Sequence, residues 1–118
     1  MTRKELIQLC REHGACRRGI RWLSRHQKSP RELWATCSDL SFLWWFSLEF
    51  GLLTVNEQSE VDRFEEESVK IYRGERHQLC GARFCQLDRA SWARHETRCC
   101  DKLRSVVSWA VVVEILNN

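Results

Sequence analysis

The chain has 118 residues, 43% of them apolar and 30% charged, with a formal net charge of +3. That size and balance suit one globular domain and exclude a disordered tail or a collagen-like chain. No apolar run approaches the roughly 18 residues of a membrane span. The start Met1-Thr2-Arg3-Lys4-Glu5 lacks the pattern of a secretory leader, so a cytoplasmic protein without membrane contact is expected. Charge is unevenly placed: residues 1–37 carry +6, residues 38–74 carry −5 and residues 75–118 carry +2. The alternation argues against a uniformly cationic nucleic-acid binder and for a fold with oppositely charged faces.

In chain order, Thr2-Arg-Lys-Glu5 is a capping box, and Leu6, Leu9, Cys10 and His13 form a helical stripe that stops at Gly14. A second stripe runs through Cys16, Gly19, Ile20 and Leu23. Ser29-Pro-Arg-Glu32 starts a third helix, with Pro30 at the first helical position. Leu40, Leu43, Trp44 and Leu48 mark a fourth, and Phe42, Trp45, Phe46 and Phe50 make it apolar nearly all round, as in a central helix. Gly51 ends it. Ser59-Glu-Val-Asp62 is read as the next start, leading into Val61, Phe64, Ser68 and Tyr72, with Glu65, Glu66 and Glu67 toward water and a stop at Gly74. Leu87 to Cys100 reads as helix, a period that Leu103, Val106, Val107 and Ala110 continue. Val111, Val112, Val113 and Ile115 are β-branched, so the last dozen residues fit a helix or a strand. The expectation is an all-α compact bundle of about five to six short helices. Residues 1–118 form one domain, with a helical module at 1–51 and a helical part carrying a Cys/His cluster at 59–118.

Seven cysteines fall into two groups. Cys10, Cys16 and Cys37 lie on or beside apolar stripes and read as buried thiols in a reducing compartment. Cys80-x4-Cys85-x9-His95-x3-Cys99 has the plan of a structural zinc site, because residues one helical turn apart project to one side and zinc takes four such donors tetrahedrally. His77 and Cys100 are alternates, and the same residues also read simply as buried thiols with a surface histidine. A Cys–His nucleophile at Cys99 or Cys85 with His95 lacks any recognisable orienting group or oxyanion site. The chain carries no P-loop, dinucleotide glycine pattern or HExxH. No enzyme is expected.

Six tryptophans are many for this length. Trp22 and Trp34 fall at core spacing. Trp44 and Trp45, as helix neighbours, point about 100° apart, so the aromatic helix must meet another element, a second copy in a homodimer or a partner. Arg17, Arg18, Arg21, Arg25 and Lys28 recur at spacings that gather most of them on one face. That row suits contact with an acidic partner or with phosphates, and equally a solvated face.

Gly14-Ala-Cys-Arg-Arg-Gly-Ile-Arg-Trp-Leu23, then Glu32-Leu-Trp34, Cys37 and Leu43-Trp44-Trp45, resembles a short helical module of uncharacterised phage and bacterial proteins. The match spans residues 10–46, and Ser41-Phe42 stand where that module carries an Asp-Trp pair. The resemblance implies a phage accessory protein, and by analogy an inhibitor of a host defence complex such as an anti-CRISPR.

Two functions are therefore expected. The first is a non-enzymatic protein that occludes a host protein or protein–nucleic acid complex, through Arg17, Arg18, Arg21 and Arg25 or through Glu65, Glu66 and Glu67. The second is a zinc-stabilised nucleic-acid binder, with Cys80, Cys85, His95 and Cys99 as ligands and Arg83, Arg89, Arg94 and Arg98 as the phosphate face.

Overall fold

Hydroxyl and carboxylate caps set where most helices begin. The computed structural model describes residues 1–78 and 84–117, the backbone alone for 84–87. Its described residues form seven helices: α1 (Arg3–Glu12), α2 (Arg17–Arg25), α3 (Pro30–Thr36), α4 (Leu40–Glu49), α5 (Val55–His77), α6 (Phe84–Val106) and α7 (Trp109–Leu116). The all-α class holds, with more helices than the five or six expected. Thr2 and Ser29 cap α1 and α3 as the sequence indicates, accepting from the amides of Glu5 and Glu32. Gly14 (φ 81°) and Gly51 (φ 64°) take the left-handed conformation that ends a helix.

Two expected marks fall elsewhere. The fifth helix starts at Val55 instead of near Ser59. Thr54 Oγ1 accepts from the Glu57 amide at 3.1 Å, and Glu57 Oε1 accepts from the Thr54 amide at 2.8 Å. That reciprocal box satisfies two orphan donors and leaves Ser59–Asp62 inside the helix. Gly74 does not stop α5, because the next residues are held by α6: Glu75 pairs with Arg94 at 2.8 Å and Arg76 with Asp88 at 3.4 Å. The last segment is helix. Ser108 caps α7 through the Val111 amide, while Val112 is buried and Trp109, Ile115 and Leu116 pack against the core. Burial of one helical face outweighs the β preference of its valines.

The long helices α5 and α6 run antiparallel, since Glu60 meets Lys102 at 2.6 Å while Tyr72 meets Asp88 at 2.7 Å. The α4 helix packs on α6, and α1 on α2. One core of Leu6, Cys10, Leu23, Leu33, Trp34, Leu43, Phe46, Val61, Cys100, Leu103 and Val112 joins all seven helices. Burial pushes the Cys10 and Cys100 thiols up to about 12 and Cys37 to about 11, so all three stay neutral. Cys16 departs from the expected buried trio: it is exposed, at the start of α2. Trp34 is buried, whereas Trp22, Trp44 and Trp45 are half-buried against the core.

Arginine also closes helix ends. Arg3 of α1 donates to the Ser24 carbonyl at 3.0 Å, at the end of α2. Arg104 of α6 donates to the carbonyls of Cys37 (2.7 Å) and Trp34 (3.2 Å), at the end of α3. These contacts satisfy carbonyls that have no partner within their own helix. Among the described residues, no helix is long and apolar enough to cross a membrane.

Candidate functional site

The arginines at positions 17, 18, 21 and 25 fall within about 100° of arc on α2, opposite the buried Gly19 and Leu23. All four are exposed. The helix breaks two local rules to place them there. Cys16 gives it no side-chain cap, and Arg17 and Arg18 put two cations at its electropositive N-terminal end. Asp39 offsets one of them, its Oδ2 meeting Arg18 Nε at 3.0 Å while its Oδ1 accepts from the Phe42 amide and caps α4. Among the described residues, no ion-pair partner stands at Arg17, Arg21 or Arg25.

A groove of about 480 Å³ runs beside this face. Arg18, Arg21, Trp22, Arg25 and His26 form one wall, with Ser38, Asp39 and Glu96 across from them. The rings of Trp22 and His26 lie 4.6 Å apart and tilted by 30°. His26 Nδ1 donates to the Trp22 carbonyl at 2.8 Å, which leaves Nε2 as the ring's remaining polar atom. Glu96 Oε2 accepts from the Leu40 amide at 3.4 Å. Both acids are thus tied to the N-terminus of α4. The groove holds three guanidinium groups against two carboxylates already engaged.

The acidic run does not form a matching single surface. Glu65 is half-buried, Glu66 is exposed, and Glu67 is exposed and paired with Lys70 at 3.0 Å. Consecutive helix residues point about 100° apart, so the three acids face three directions.

Of the four expected zinc donors, the structure brings two together. His95 Nδ1 and Cys99 Sγ are 3.8 Å apart, one turn apart on α6, and both side chains are buried. Cys80 and the side chain of Cys85 lie outside the described residues. Donors around one zinc ion sit within about 4 Å of each other. Position 85 is ten residues before His95 on the continuous helix, about 15 Å of rise. His77 is exposed near the far end of α5, and Cys100 packs in the core. Among the described residues, no group of three or more His, Cys, Asp or Glu stands close enough to hold a metal ion.

His95 instead belongs to a polar cluster between α5 and α6. Arg98 Nε donates to Ser68 Oγ at 3.0 Å, and Ser68 Oγ also shares a hydrogen bond with His95 Nδ1 at 2.8 Å. The other ring nitrogen, Nε2, is buried and has no hydrogen-bond partner among the described residues. Burial lowers the pKa of His95, with Glu65 pulling the other way and Arg98 adding to the fall. Burial likewise raises the Cys99 thiol. Trp92 and Tyr72 close over the ring, at 4.8 and 6.3 Å between centroids. Arg94 and Arg98 are both engaged with α5, at Glu75 and at Ser68. Arg89 is exposed, and Arg83 lies outside the described residues.

No family model, curated protein or solved structure matches the chain. Sequence reasoning found the arginine face but not the opposite wall of its groove. Asp39 and Glu96 are 57 positions apart, and only the packing of α6 on α4 brings them together. A local signal existed for Asp39, which stands at the capping position before Leu40. None existed for Glu96.

Proposed function

We propose that this chain is a non-enzymatic binding protein that works by covering an acidic surface of a partner protein with the arginine face of α2. The observation that carries this reading is local: an uncapped nine-residue helix holds four exposed arginines, two at its electropositive end, and only Arg18 has an ion-pair partner among the described residues. A sequence that sets aside local stability at one place usually does so for a role other than folding. The resemblance of residues 10–46 to a phage module supports the narrower reading of an inhibitor of a host defence complex, of the anti-CRISPR kind. The Cys99–His95 pair is buried and its thiol is held neutral, which favours binding over nucleophilic catalysis.

The test is capture from host lysate by the wild type and by the R17E/R21E/R25E variant, with mass in solution measured in parallel. A partner retained by the wild type and released by the variant supports the reading. A chain that stays monomeric and captures nothing overturns it. The competing reading is a zinc-stabilised nucleic-acid binder with Cys80, Cys85, His95 and Cys99 as ligands. Zinc content near one equivalent after purification without added metal, with steeply salt-dependent DNA or RNA binding, would favour it.

A further inference from the structure

Arg17, Arg21 and Arg25 stand four residues apart along α2. Side chains at that spacing emerge about 6 Å apart, in a row that winds about 40° around the helix at each step. A second helix carrying carboxylates at the same interval repeats that distance. Its acids can meet the row in register while its intervening side chains lie against the Trp22 and His26 rings. A nucleic-acid strand carries a charge on every nucleotide. Along this groove it would have to set phosphates against Asp39 and Glu96, two carboxylates fixed by the amides of Phe42 and Leu40. A protein segment can leave those positions neutral, and like charges brought together across an interface are a strong discriminator.

From this juxtaposition we infer that the arginine face of α2 and the groove beside it take an acidic helix of the partner protein, with carboxylates one turn apart seated on Arg21 and Arg25, which line the groove, and on Arg17, which stands outside that lining on the same helix face. The inference rests on the binding-protein reading above and names the chemistry of its partner. Arg18 is not a free contact, because it is already paired with Asp39.

Two labelled peptides of identical composition test it, by fluorescence anisotropy against the full chain. One carries three glutamates at i, i+4 and i+8 on an alanine and glutamine background, and the other carries them consecutively. The spaced peptide is expected to bind about tenfold tighter, the equivalent of two or three exposed ion pairs. The R21E/R25E variant should lose that preference. The R11E variant, a charge reversal at an exposed position of α1, should keep it. Circular dichroism checks that each variant is folded. Equal binding of the two peptides, binding to neither, a preference that survives R21E/R25E, or tighter binding of a single-stranded oligonucleotide each overturns the inference. If arginine-dependent capture of a partner persists while the peptides fail, the acidic helix falls and the binding-protein reading stands.

Discussion

At residue scale, Gly19 shows how one missing side chain positions the arginine face. A Cβ at this position would collide with the ring of Phe42, itself buried in the core, so α2 can lie this close to α4 only with glycine there. Alanine favours a helix interior by about 1 kcal/mol over glycine, but overpacking a core costs about 1–3 kcal/mol. Gly19→Ala should therefore destabilise the protein by up to about 2 kcal/mol net. The midpoint of urea unfolding reads it directly, and a rise would refute the close approach. His95 makes a second residue-scale case. Its folded pKa lies below the ordinary 6.5, so the unfolded chain binds the proton more readily. The contribution of neutral His95 is complete above that value and is lost as pH falls below it, until the folded form also protonates. His95→Gln should remove this part of the acid sensitivity, flattening the change in unfolding midpoint between neutral and mildly acidic pH.

At the scale of elements, the caps and the arginine clamps decide where helices start and stop. Thr54→Ala removes the reciprocal box at α5 and should cost about 0.5–2 kcal/mol. Ser59→Ala, inside the same helix, should cost much less. Arg104→Ala strips the donor from the carbonyls of Cys37 and Trp34 and should cost about 1–3 kcal/mol. Asp101→Asn weakens only the exposed end of that network and serves as its comparison. Denaturant titration of the four variants checks both pairs. Local chemistry made the starts of α1 and α3 legible, because a cap lies within three residues of its partner. The same is true of the glycine stops at positions 14 and 51. Length was less legible. Gly74 reads as a stop in isolation, and only Arg94 and Asp88, from a helix that comes later, carry α5 past it. The arginine face was legible for the same local reason as the caps, whereas the Asp39–Glu96 wall depends on how α4 meets α6.

At the scale of the molecule, the fold spans 51 × 33 × 22 Å, and its long axis exceeds any one of the short helices. The α5–α6 pair is the longest part of it, since 23 residues of helix make about 34 Å. Charge is arranged along the fold rather than summed over it. The excess acid of the middle segment is partly consumed within the hairpin, where Glu60 meets Lys102. The excess base of the first segment stays largely on the outer face of α2. This is why a modest net charge coexists with a strongly cationic helix.

The two ends of that hairpin are fastened by different forces. Near Val61, Cys100 and Leu103 the helices share the apolar core, while beyond Ser68 the contacts among the described residues are the edge-on rings of Tyr72 and Trp92 and the polar pairs Tyr72 with Asp88, Arg76 with Asp88 and Arg94 with Glu75. Apolar burial is indifferent to moderate salt, and half-exposed charge pairs are screened by it. The pair should therefore open as a zipper rather than all at once. Amide hydrogen exchange is expected to slow progressively from His77 back toward Val61. Raising the salt should speed exchange more at the outer turns than at the root, where the core backs the Glu60–Lys102 pair, whereas uniform protection along α5 would mean that the helices part as one rigid unit.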